Sequence, residues 1–262
     1  MNGEDGDAGV IPRILSQFSV DVCVPDEQLA ENIKSACSRG LPQVKKFKPH
    51  KRPMSIAGGG PSLADTWKDL RGVTVAINGS LGFLLDKGVV PWACGVLDPR
   101  PHLADIVEAR PEVIYFLAST VHPSVFDKLA GCRVVLWHPG GPDHLRAIAT
   151  NAREFIPGGP TMGLRWLMLG YYMGFREFLI HGLDSSFRGE RTHAYPDGRD
   201  GSETQKLHGF ETSMNFIEQV DWWFRTKAAF AAVAEKDRPS LTLFGDGLLQ
   251  FCDKNPVRSV AA

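Results

Sequence analysis

The sequence predicts an α/β fold: a mostly parallel sheet flanked by helices, with an N-terminal helical extension and a C-terminal helix. Two patterns and one total predict it. Short, nearly all-apolar, β-branched runs recur from Met54 onward, and helical stretches separate them. The 262 residues, 43% hydrophobic and 23% charged, suffice for one large α/β domain with a real core. Strands that helices cover on both faces read as continuous apolar runs, the pattern of a parallel sheet.

Taken in order, residues 1–24 read as a loose leader, acidic and glycine-rich at its start and without the apolar stretch of a secretory signal. Pro25 to Val44 carries a helical pattern in Leu29, Ile33, Ala36 and Cys37, with Pro25 and Asp26 as start signals and Gly40 as a stop. Lys45, Lys46, Lys48, His50, Lys51 and Arg52 follow as a basic run between prolines, read as a solvated linker or as a positive rim that steers an anion. Residues 25–52 are thus expected to form a helix and basic linker, and 53–262 the main α/β domain. Its candidate strands are Met54–Ala57, Val73–Ile77, Trp92–Leu97, Val113–Leu117, Val134–Trp137, Glu177–His181 and Leu241–Phe244. Helices are expected at Ser62–Leu70, Leu81–Lys87, Pro101–Ala109, Pro123–Leu129, Thr161–Tyr172 and Thr212–Glu235. The last is a packed amphipathic helix that needs no cofactor to explain it.

Charge narrows the function. Lys and Arg total 29 against 30 Asp and Glu, a net −1, which counts against a nucleic-acid binder. The five cysteines are scattered and make no C-x-x-C pair, so free thiols and a cytoplasmic location are expected. Arg165, Arg176 and Glu177 interrupt the most apolar stretch, which therefore reads as a buried helix and strand rather than a membrane span. A homo-oligomer is left open.

In parallel sheets, ligands bind beyond the carboxyl ends of the strands, and the polar motifs fall there. Gly58-Gly59-Gly60-Pro61-Ser62 runs from strand to helix, where glycine amides and a helix N-terminus can approach a phosphate. It fits neither the P-loop nor the dinucleotide pattern. Asn78-Gly79-Ser80 offers hydrogen bonds to a ribose, base or phosphate, or forms an ordinary capped turn. Asp98, leaving a strand between prolines, suits Mg²⁺ or a sugar hydroxyl, or caps a helix. Gly159-Pro160-Thr161-Met162-Gly163 opens a long helix and could hold a phosphate. Asp184 follows the next strand, and the polar segment Arg188–Gln205, with Arg188, Arg191, His193 and Arg199, reads as a lid or as a plain surface loop. His138, Asp143 and His144 read as a turn rather than a metal cluster.

The order of these motifs, from Glu31-Asn32-Ile33 through Ala57–Leu63, Asn78-Gly79-Ser80, Gly88–Pro91, Leu97-Asp98-Pro99, Gly159–Gly163 and Gly182–Phe187 to Thr192-His193, resembles the MptE-like family. That family is named for the archaeal 6-hydroxymethyl-7,8-dihydropterin diphosphokinase, and its G-x-G-P-S-L opening also occurs in bacterial sialyltransferases and flagellin-modifying proteins. The resemblance implies that residues 53–262 form a Rossmann-like nucleotide-binding catalytic domain and carry out Mg²⁺-dependent pyrophosphoryl transfer from ATP to a pterin alcohol. Asp98 and Asp184 would hold the metal, and Asp98, Asp184 and His193 would form the catalytic set. Gly58–Ser62, Asn78, Gly79, Ser80, Gly159, Thr161, Gly163 and Arg188 would meet the nucleotide. A glycosyltransferase using a CMP- or other nucleotide-activated sugar is the alternative, and a non-catalytic nucleotide-binding or assembly protein the second alternative. Asn78 stands where relatives often carry aspartate, and Gly159-Pro160-Thr161 where they carry Ser-Gly-Ser or Gly-Gly-Ser.

Overall fold

A computed structural model describes residues 24–195 and 203–256. Eight parallel strands form one sheet in the order β10-β7-β1-β2-β3-β4-β5-β6. They are β1 (Met54–Ala57), β2 (Val73–Ile77), β3 (Ala93–Val96), β4 (Ile114–Ala118), β5 (Arg133–Pro139), β6 (Phe155–Ile156), β7 (Glu177–His181) and β10 (Ser240–Leu243). A separate antiparallel hairpin pairs β8 (Gln205–Leu207) with β9 (Phe210–Thr212).

β1, β2 and β7 fall where the apolar runs put them. Every residue of β1 is buried, as a central strand covered on both faces requires. The basic linker is not wholly free of the sheet: Gln43 bridges Leu136, and His50 bridges Phe175. The leader and Arg199 lie outside the described residues, apart from Val24.

The helices are α1 (Asp26–Ser38), α2 (Leu63–Thr66), α3 (Ser80–Asp86), α4 (Leu103–Ile106), α5 (Pro123–Lys128), α6 (Asp143–Arg146), α7 (Met162–Tyr172), α8 (Met214–Ala231) and α9 (Leu248–Lys254). Several are shorter than their sequence pattern. α2 gives way to a 3₁₀ turn at Trp67–Asp69, and α4 ends at Ile106. α7 is buried along most of its length, with Trp166, Leu167 and Leu169 in the main core. α1 packs against α5 and α6 and shares a small second core of Leu29, Ile33, Leu145 and Ala149.

Asn32, fully buried on α1, donates to the carbonyls of Pro99 (3.2 Å) and Thr120 (2.8 Å), so the helix is fastened to the loops after β3 and β4. Among the described residues no helix is long and apolar enough to cross a membrane. Cys37, Cys94, Cys132 and Cys252 are free thiols.

The sheet positions the site. Strand order runs outward from β1 through β6 on one side and through β7 to β10 on the other. At such a switch point the connections leave in opposite directions and open a crevice at the carboxyl ends.

Candidate functional site

A cleft of about 890 Å³ opens at that crevice, within the range of small-ligand sites. The loops after β1, β2, β3 and β7 line it, together with the start of α7, one face of α8 and, from the far side, Leu29 and Ile33 of α1.

The glycine turn after β1 is closed against the end of β7 and the loop that follows it. Gly58 and Gly60 donate their N–H groups to the carbonyls of His181 and Gly182, both at 2.8 Å. A Cβ at Gly58 would collide with the Gly182 carbonyl, and one at Gly60 would lie 2.7 Å from Asp184 Oδ2. These glycines are needed because two loop backbones cross in van der Waals contact. Pro61 and Ser62 are buried and lie outside the lining set. Gly59 packs under His193 and Tyr195, and Gly79 under the Tyr195 ring.

Asp184 is 4% exposed and is occupied by the same turn. Oδ2 accepts the Ser62 N–H at 2.7 Å, and Oδ1 accepts the Ser62 hydroxyl. Burial raises its pKa, opposed by those two bonds and by the Arg188 charge. Asp98 is held by Arg100, whose backbone N–H and Nε donate to Oδ1 at 2.9 and 3.0 Å, while Nη2 pairs with Oδ2. Arg188 pairs with Asp65 and Asp246 outside the cleft. Ser80 accepts the Ile77 N–H and donates to the Ala57 carbonyl, tying β2 to β1.

Mg²⁺ is the metal the resemblance implies. It needs carboxylate oxygens free to face it, yet both oxygens of Asp98 and of Asp184 are engaged by donors of the chain itself. Among the described residues no group of three or more His, Cys, Asp or Glu side chains is placed to hold a metal ion. These residues do not build a metal site as they stand.

A second set of side chains has the opposite character. Asn78 Oδ1, Thr161 Oγ1, Ser185 Oγ and Thr192 Oγ1 are buried without a hydrogen-bond partner, and all four residues line the cleft. An unsatisfied buried polar group costs about 1–3 kcal/mol, so four on one cavity wall mark where a polar ligand would supply the missing bonds. Asn78 (φ 47°) and Ser185 (φ 53°) hold left-handed backbone to present them.

Behind these lies Arg165, 4% exposed on the first turn of α7. Its Nε donates to the Gly159 carbonyl (2.8 Å) and its Nη1 to the Ile156 carbonyl (2.7 Å). Among the described residues no carboxylate pairs with it, and burial lowers its pKa to about 10. A buried, uncompensated guanidinium at a cavity wall is a place for an anion.

The sequence points to Thr161 and Asn78 but not to Arg165, which sits inside an apolar run and looks there like a mere interruption of it. Ser185, Thr192 and the α8 residues Asn215, Phe216, Glu218 and Gln219 also line the cleft and were missed as site residues. His193 lines it and stacks on Tyr195 at 4.9 Å between ring centroids. None of Lys45, Lys46, Lys48, Lys51 and Arg52 lines it, so the basic run is not a rim of this cleft. His138 lies in β5, and His144 Nε2 meets Asp26 Oδ2 at 2.6 Å.

The model of the family described as 6-hydroxymethylpterin diphosphokinase MptE-like matches residues 27–190, well over half of the chain. The chain belongs to the MptE-like family. No curated protein matches it. Among solved structures, a MAf glycosyltransferase from Magnetospirillum magneticum AMB-1 aligns with a TM-score of 0.61 at 14% identity. The alignment covers 90% of this MptE-like chain but only 42% of the glycosyltransferase, so the likeness is one of fold over less than half of the longer protein.

Proposed function

We propose that this MptE-like chain is a nucleotide-dependent transferase whose donor is a sugar activated by a nucleoside monophosphate. Charge matching carries the reading. A triphosphate concentrates several negative charges, and phosphoryl-transfer sites meet them with metal ions and several cations. Here, among the described residues lining the cleft, Arg165 is the arginine without a carboxylate partner, since Arg100 and Arg146 are paired with Asp98 and Asp143. One guanidinium suits one phosphate. The four unpartnered hydroxyl and amide groups suit the hydroxyls of a ribose and a sugar. The glycosyltransferase with the same fold supports glycosyl transfer as the reaction class.

In the proposed reaction an acceptor hydroxyl attacks the anomeric carbon while the bond from that carbon to the phosphate oxygen breaks. The nucleotide leaves as an anion stabilised by Arg165, whose charge is fixed in place before the reaction. His193 is the lining side chain suited to take the hydroxyl proton.

The family description favours a second reading, pyrophosphoryl transfer from ATP to a pterin alcohol with Mg²⁺. A thermal-shift panel of CMP, CTP, ATP, GTP and UDP-sugars, each with and without Mg²⁺, separates the two. The first reading expects a nucleoside monophosphate to raise the Tm most, with no dependence on Mg²⁺. Preferential stabilisation by ATP with Mg²⁺, and AMP release when the pterin alcohol is added, would establish the second reading instead.

A further inference from the structure

The opposite end of the same strands carries a surface that the cleft does not use. Lys45, Lys46, Lys48, Lys51 and Arg52 are all exposed, and among the described residues no carboxylate pairs with any of them. In their midst Phe47 is 57% exposed. The segment is held in place: the N–H groups of Val44, Phe47 and His50 donate to the carbonyls of Leu136, Tyr172 and Gly174 at 3.0, 3.2 and 2.9 Å. It enters β1 at its amino end, where Pro53 accepts the Val73 N–H. Arg71, at the amino end of β2, adds a cation that meets Glu177 at 3.5 Å. Two further exposed apolar residues, Val90 (56%) and Trp92 (39%), lie at the amino end of β3.

We propose that this amino-end face docks on an anionic phospholipid bilayer. Clustered lysines are drawn to the negative surface of such a membrane, and an exposed aromatic ring among them gains by entering the headgroup boundary. The whole chain is net −1, so these charges are a local concentration rather than part of a general cationic excess. An acidic protein would satisfy the lysines but would leave Phe47, Val90 and Trp92 unexplained. Docked this way, the protein holds its cleft on the side away from the lipid, open to water.

The test is flotation of the full chain with vesicles, using phosphatidylglycerol mixed with phosphatidylcholine or phosphatidylcholine alone, at low and high salt. The chain is expected to float with the anionic vesicles at low salt and to stay unbound with the neutral ones. Lys45→Glu/Lys46→Glu/Lys48→Glu should weaken that binding by about tenfold or more, and Phe47→Ser by a smaller factor. Both variants should keep the parent's Tm, because the changed side chains are exposed. No flotation with anionic vesicles, or flotation unaffected by the triple reversal, overturns the proposal. Charge-dependent capture on immobilised polyglutamate without vesicle binding would assign the face to an acidic protein and overturn it equally.

Discussion

Two of the three Gly-Gly-Pro turns beside the cleft, the one after β1 and the one before α7, look alike in sequence and end in opposite states. In Gly58–Ser62, the Gly58 and Gly60 amides and the Ser62 amide and hydroxyl bond to the last residue of β7 and the loop after it. In Gly158–Gly163, Thr161 has a buried hydroxyl without a partner, and the helix that follows carries a buried cation without a carboxylate. The first turn joins two strands at the centre of the sheet. The second leaves the Thr161 hydroxyl without a partner inside the chain. A glycine-rich turn at a strand end is therefore not evidence of a phosphate site until its donors have been accounted for.

The largest test of that contrast is Gly58→Ala. The new methyl would meet the backbone carbonyl of Gly182, which cannot move without shifting β7. Overpacking of this kind costs about 3 kcal/mol, read as a lower urea midpoint at unchanged slope. A variant as stable as the parent would mean that the two loops are not locked together.

The locked region should also show in acid. His181 and Asp184 flank it, and burial moves them in opposite senses: the His181 pKa falls from 6.5 to about 4, and the Asp184 pKa rises from 3.8. A depressed histidine contributes stability that is complete above pH 6.5 and is lost as pH falls towards about 4. A raised aspartate contributes stability present below its unfolded value and lost as pH climbs through its folded one. Between pH 6.5 and 4 the histidine contributes a loss of about 3 kcal/mol, and Asp184 opposes it. His181→Phe keeps an aromatic ring stacked on Phe244, which now lies 4.2 Å away, and should flatten that acid limb in unfolding curves across pH. An unchanged limb would place the titration elsewhere.

These contrasts also show which features were legible in the sequence. Met54–Ala57 and Glu177–His181 were readable because each is an apolar run ended by glycine. β6, with two residues, and the hairpin strands Gln-Lys-Leu and Phe-Glu-Thr carry too little alternation to be seen. α1 was legible as a helix, but its role as a cleft wall depends on Asn32 reaching the carbonyls of Pro99 and Thr120, far along the chain. The same limit hid Arg165. Sequence shows a charge in an apolar helix, whereas the absence of a countercharge around it is a property of the folded neighbourhood.

Arg165→Met tests the open region at its strongest point. Removing the cation should weaken nucleoside monophosphate binding by at least about tenfold, the scale of a charge-assisted bond, while costing less stability than Gly58→Ala. Isothermal titration measures the first and urea unfolding the second. Binding that survives the change would move the anion site away from α7.

The smallest effect, and the cleanest discriminator between the two turns, belongs to Thr161→Val. The substitution keeps the shape and deletes a hydroxyl that has no partner within the chain. Burying a methyl in place of an unsatisfied hydroxyl should leave the Tm of the free protein unchanged or slightly raised. The ligand, by contrast, should lose one hydrogen bond, about 1 kcal/mol or a several-fold rise in Kd. Ser62→Ala in the closed turn should behave in reverse, because it strips a donor from buried Asp184. Stability should fall, and nucleotide affinity should follow only as far as the fold loosens. If Thr161→Val lowers the Tm and Ser62→Ala does not, the roles assigned to the two turns are exchanged.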